Sequence, residues 1–159
     1  MQSSGISSPA NISTTTTANG QTRSRFALSG RSAHIDSRIQ AARRDLADVR
    51  LADRVFAPHY AAPIAHVVTA RGPLYTDKQC SEILSECLIG ERFDVLEIVG
   101  DVCWGINCVD GSVGYIYRSQ LGAPAKCPLI VTALQTAVRA KPATSAAALD
   151  TLPMGTRLP

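Results

Sequence analysis

The residues with the most chemistry available to them are five cysteines and three histidines. A cysteine nucleophile needs a thiolate, a histidine base within hydrogen-bond reach, and a third group that orients the base. The histidines are His34, His59 and His66. His34 adjoins a low-complexity tail, His59 follows a proline in a loop-like stretch, and His66 begins a strand-like one. None of Cys80, Cys87, Cys103, Cys108 and Cys127 stands at a strand-to-helix junction, where a helix N-terminus would lower its pKa. A self-contained catalytic site is therefore not expected. The spacings Cys80 to Cys87 and Cys103 to Cys108 match no zinc pattern, and no histidine pair at ligand spacing accompanies them. No metal and no cofactor is expected. Cys103 and Cys108 fall in strand-like sequence, where thiols serve as small apolar core residues.

The elements around them read as an antiparallel meander. Phe93, Val95, Leu96 and Ile98 form a run rich in β-formers, closed by the turn pair Gly100-Asp101. Cys103-Trp104-Gly105-Ile106 opens a second strand with the only tryptophan. Asp110-Gly111 signals a two-residue hairpin, after which Val113, Tyr115 and Tyr117 alternate along a third strand. So small a sheet cannot bury its faces while flat, which predicts a curled barrel. An inward Trp104 would be its main core residue, and an outward one a sugar or peptide platform; burial favours the core. Gly111 and Gly114 suit turn geometry and close strand approach.

The Gly90-Glu91 pair, Trp104 and Asp110-Gly111-Ser112-Val113-Gly114-Tyr115 carry a resemblance. This stretch resembles the bacterial SH3-like domain that precedes the catalytic domain of NlpC-type cysteine peptidases, enzymes that cut peptidoglycan stem peptides. Asp36 to Pro63 is similar to the lead-in of the proteobacterial members, and Leu74 to Glu91 to their first hairpin. The resemblance implies an all-β fold on a small SH3-like barrel, and a docking role toward a peptidoglycan-derived peptide. It assigns catalysis to a downstream domain that has no counterpart here. In the family a carboxylate of the Gly-Glu element and a tyrosine hold the free amine of the peptide's first alanine. Glu91 is the matching carboxylate, and a carboxylate facing an ammonium is a charge-assisted pair. The tyrosine position holds Ser112 instead, which leaves Tyr115 or Tyr117 to substitute. The residues alone also allow Glu91 as a solvated strand carboxylate, and the whole as a stand-alone SH3-like interaction module.

A chain of 159 residues allows one domain, or a small domain with appendages. Sixteen basic against thirteen acidic side chains, a net charge of +3, give no field that gathers nucleic acid. Arg23, Arg25, Arg31, Arg38, Arg43 and Arg44 cluster early, as a solvated tail or an arm brushing an anionic polymer. No apolar run near Met1 resembles a secretory core, and none would span a bilayer. Neither nucleic acid nor membrane is expected as a partner, and free thiols without an export signal fit a reducing cytoplasm.

Along the chain, residues 1–33 read as a disordered low-complexity tail, with Thr14 to Thr17 in a row and few large apolar residues. Residues 34–63 read as a strap with a short helical turn over Arg43 to Asp48. The residues alone allow a pair of irregular clips on the barrel, and the resemblance implies a strap that touches the catalytic domain. The barrel is expected over residues 64–123, its connector Asp77 to Leu88 holding one turn of helix. An internal repeat then follows. Ile130-Val131-Thr132-Ala133 echoes Val67-Val68-Thr69-Ala70, and Gly155-Thr156-Arg157-Leu158 echoes Gly90-Glu91-Arg92-Phe93. Val68 to Val131 is 63 residues and Gly90 to Gly155 is 65, a drift that loop insertions explain. Residues 124–159 are accordingly expected to open a second, incomplete SH3-like unit.

Overall fold

The computed structural model describes residues 35–159, together with two short strands in a separate unit spanning Met1–Ser32. Those strands, β1 (Thr14–Thr16) and β2 (Thr22–Ser24), pair antiparallel with Thr15 opposite Arg23. The rest of the tail read as disordered lies outside the described residues.

Seven strands form the main sheet, in the order β11-β5-β8-β9-β10-β6-β7. They are β5 (Ile64–Val68), β6 (Gly72–Tyr75), β7 (Ile83–Cys87), β8 (Arg92–Val99), β9 (Val102–Asn107), β10 (Val113–Tyr117) and β11 (Leu121–Gly122). Gly100-Asp101 is the two-residue turn between β8 and β9, with Val99 opposite Val102. The Asp110-Gly111 signal differs: β9 and β10 are joined by the longer loop Cys108 to Ser112. Its cause is Asn107, whose N–H donates to Ser112 O and whose O accepts from Gly111 N–H, so the ladder ends two residues earlier than a tight hairpin requires. Cys108 therefore sits in an exposed loop and not in the core.

The connector expected to turn as a helix is the strand β7. Its residues Ile83 to Cys87 pair with Tyr75 to Gly72, so the cross-strand ladder overrides the helix-like spacing. Likewise Leu46–Asp48 is a strand, β3, which pairs in parallel with β4 (His59–Ala61); a 3-10 turn follows it at Val49–Leu51. Asp48 Oδ1 caps that turn by accepting from Arg50 N–H at 2.8 Å.

The sheet buries both of its faces. Inside lie Val68, Leu74, Cys87, Phe93, Val95, Cys103 and Ile116. Outside, Leu96, Trp104, Val113 and Tyr115 pack with Ala41, Leu46 and Ala61 of the strap. Val95 points inward and Leu96 outward, as successive strand residues do, and a bulge between Val95 and Glu97 in β8 then sets Glu97 opposite Trp104. Gly114 shows how tightly β10 and β6 approach, since a Cβ there would lie 2.5 Å from Tyr75 O.

Trp104 is thus on the outer face, yet only 4% exposed. Arg43 of the strap covers it, the guanidinium carbon 4.3 Å from the ring centroid. The same guanidinium donates to Glu97 Oε2 at 2.7 Å, to Tyr115 Oη at 2.9 Å and to Asp45 Oδ2 at 2.9 Å. Burial alone would lower the pKa of Arg43; the bonds from Asp45 and Glu97 more than offset that and raise it. Backbone pairing adds to the attachment, Val113 N–H donating to Arg38 O at 2.7 Å.

Beyond β11 the chain forms two small sheets, β12 (Leu129–Ile130) with β15 (Arg157–Leu158), and β13 (Gln135–Arg139) with β14 (Ala148–Pro153). Their pairing repeats that of the first barrel. Gly155 N–H donates to Val131 O and Val131 N–H to Thr156 O, as Gly90 N–H donates to Val68 O and Val68 N–H to Glu91 O. The β13–β14 hairpin even carries a register shift, at Val138/Arg139, where β6–β7 has one at Leu74/Tyr75.

Replacing Trp104 with alanine is expected to cost about 3–5 kcal/mol, the range for removing a buried aromatic side chain. Arg43→Met keeps the apolar stem but loses the cation, and is expected to cost about 1–2 kcal/mol. Urea unfolding of the full chain, followed by circular dichroism, measures both. A Trp104→Ala variant within about 1 kcal/mol of wild type would show that the strap does not bury the ring.

Candidate functional site

Glu91 stands in the turn Leu88–Glu91 between β7 and β8. Gly90 has φ +81°, and a Cβ there would meet Arg157 O at 2.1 Å, so only glycine allows the second unit this approach. Arg157 N–H donates to Ile89 O at 2.8 Å across the same contact. The turn directs the Glu91 side chain inward, leaving the residue 6% exposed. Its Oε2 accepts from Asn107 Nδ2 at 2.7 Å and from Leu88 N–H at 3.1 Å. Asn107 also reaches Cys87 Sγ at 3.6 Å. The carboxylate expected to face a ligand's ammonium is therefore held within the barrel wall, because Asn107 and the Leu88 amide need an acceptor there.

Tyr115 and Tyr117 occupy different surroundings. Tyr115 is 9% exposed, its hydroxyl engaged by Arg43 beneath the strap. Tyr117 is 40% exposed and meets Tyr75 edge-on, ring centroids 5.9 Å apart. Cys80, a non-glycine residue at φ +57°, lies beside the Tyr117 hydroxyl and holds the phenol above its ordinary pKa. Ser112 sits in the β9–β10 loop, its N–H bonded to Asp110 Oδ1.

Strand register separates these groups. Asn107, which holds Glu91, is at one end of β9, whereas Tyr117 is opposite Val102 at the other end. Five residues of strand span about 16 Å. Glu91 and Tyr117 thus mark opposite ends of the meander, and Tyr115 lies on its outer face.

Three of the thiols are held away from the thiolate form. Burial and the neighbouring Glu91 carboxylate push Cys87 up to about 12. Burial likewise raises Cys103, and burial with Asp94 raises Cys108. His66 Nδ1 faces Ile64 O at 3.1 Å. No group of acidic, cysteine and histidine side chains among the described residues has metal-binding geometry. Among the described residues no helix is long and apolar enough to cross a membrane.

Two residues that govern the site lie outside the motifs. Asn107 was legible as a polar residue closing an apolar strand, and Arg43 carried no signal beyond its place in a basic run.

Residues 74–121 match the family model described as the bacterial dipeptidyl-peptidase SH3 domain. The match runs from the last residues of β6 through β10 to the start of β11, and takes in Glu91, Trp104, Tyr115 and Tyr117. No curated protein and no solved structure matches the chain. The all-β architecture and this match together define an SH3-like barrel as the centre of the molecule.

Glu91→Leu removes the acceptor of two buried donors and is expected to destabilise by about 1–3 kcal/mol. Glu91→Gln keeps one acceptor oxygen and should cost less. Equilibrium unfolding in urea ranks the two. Wild-type stability in the leucine variant would mean that Glu91 is not an internal brace.

Proposed function

We propose that the chain is a non-catalytic docking module for a peptidoglycan-derived stem peptide, acting beside an NlpC-type cysteine peptidase domain that supplies the nucleophile. The observation that carries this reading is the match of residues 74–121 to the bacterial dipeptidyl-peptidase SH3 domain. Tyr117 offers the contact surface: its ring is half open, Tyr75 fixes it edge-on, and the nearby strand residue Ile83 is 67% exposed. Tyr115 acts indirectly by positioning Arg43, and Glu91 by shaping the turn. The strap's Phe56, 83% exposed, is the side chain best suited to pack against a catalytic domain. Five unpaired thiols suit work in the cytoplasm.

An NMR titration with an alanine-led peptide and its N-acetylated twin tests this reading. The free-amine peptide is expected to shift the amides of β6 and β10 at millimolar concentration, because an ammonium over an exposed ring such as that of Tyr117 contributes only about 0.5–1 kcal/mol. Tyr117→Ala should abolish those shifts without unfolding the barrel. Shifts identical for both peptides, or unaltered in the variant, would leave a stand-alone interaction module as the better reading.

A further inference from the structure

Strand register puts Ile98, Cys103, His66 and Leu121 on the core face of the main sheet. Ile98 is opposite Cys103, His66 opposite Phe93, and Leu121 opposite Val68. Directly paired residues share a face, and Cys103, Phe93 and Val68 belong to the inner cluster. Leu121 packs partly buried against that cluster. Ile98 remains 49% exposed, although its partner Cys103 is only 1% exposed. The apolar core therefore reaches the surface at this point. A cleft of about 250 Å³ opens there, lined by His66, Ile98, Cys103, Arg118 and Leu121, among others.

The polar groups of the cleft are of one kind. Arg118 opens the 3-10 turn Arg118–Gln120, its N–H donating to Asp101 O at 2.8 Å. Unlike Arg43, Arg50 and Arg92, it pairs with no carboxylate among the described residues. Its charge is felt at the floor of the cleft, where it opposes the effect of burial on the Cys103 thiol. His66 Nδ1 faces Ile64 O at 3.1 Å. A carbonyl only accepts, so Nδ1 carries the hydrogen and Nε2 is left for a ligand. Among the described residues no acidic side chain lines the cleft. Its volume falls below the roughly 300–1,000 Å³ of sites that enclose a whole small molecule, so it suits one end of a ligand.

We propose that this cleft binds an aliphatic carboxylate, its apolar part against Ile98, Leu121 and Cys103 and its anionic end on the Arg118 guanidinium. The planar fork of a guanidinium meets both oxygens of a carboxylate at once, and His66 Nε2 stands as a second polar contact. An anion is required because the cation has no partner of its own. An aliphatic group is required because three of the lining side chains offer only apolar surface, which a bare phosphate or sulfate would leave uncovered. A free aliphatic acid and the C-terminal residue of a peptide present this same chemistry. The inference does not rest on stem-peptide binding, since neither Tyr75 nor Tyr117 lines the cleft.

The test is an NMR titration of the full chain with N-acetylleucine, its C-terminal amide, and 4-methylpentanoate. N-acetylleucine is expected to shift the amides of Ile98, Cys103 and residues 118–122 at about millimolar concentration, the affinity that ligands of this size reach. The amide, which lacks the charge, should bind about fivefold more weakly, as should the acid to Arg118→Met, which keeps the stem of this exposed side chain. Arg118→Lys should recover part of the loss. Tyr117→Ala should leave these shifts in place, which separates this site from the stem-peptide reading. Tighter binding of N-acetylleucine than of 4-methylpentanoate would support the site as one for peptide C-termini, and equal binding as one for free acids. Acid and amide binding alike, Arg118→Met binding as wild type does, or no shift well above millimolar concentration would overturn the proposal.

Discussion

Arg43 lying against Trp104 is the contact on which the rest of the barrel depends. A sheet of two- to eight-residue strands has two apolar faces here, and curling hides only one of them. The other would leave Leu96, Trp104, Val113 and Tyr115 in water, a patch large enough to drive association. A guanidinium suits this cover because it is flat, weakly hydrated and able to stack on an indole while donating in its own plane. Glu97 and Asp45 meet those donors, so the charge is neutralised where it is half buried. The strap is thus the second layer of the fold, and the alanines Ala41 and Ala47, 2% and 0% exposed, let its backbone lie close.

The same constraint explains what could be read in advance. The meander was legible because β8, β9 and β10 each carry β-formers between unambiguous turn residues. Gly90 and Gly155, which the echoed segments align, both have a left-handed φ, +81° and +93°, that few other residues tolerate. The strap was misread because Arg43 to Asp48 has helical propensity, while its conformation is set by pairing with His59–Ala61 and by contact with the sheet. Such distant partners leave no local periodicity. Trp104 was read as either core or outward platform; it is both outward and buried, which requires knowing that the strap exists as a cover.

Glu91 shows that a motif can place a carboxylate without giving its direction. Its position was legible, its direction was not, because direction follows from the turn at Gly90 and from Asn107 across the barrel. The exposed aromatic edge at Tyr75 and Tyr117 lies about five strand residues away, beyond reach of the same ligand group. The exposed aromatic pair and the brace of the barrel wall are therefore separate groups within one matched stretch.

The bracing has a purpose that an apolar pair would not serve. Asn107 is opposite Phe93 in the β8–β9 ladder. A slip of one residue would turn Phe93, 0% exposed, out of the core and carry Asn107 away from Glu91 at once. The penalty for the second error is specific, since a buried amide and carboxylate would both lose their partner. A polar pair at the start of the meander thus selects one register among several that would bury similar apolar area.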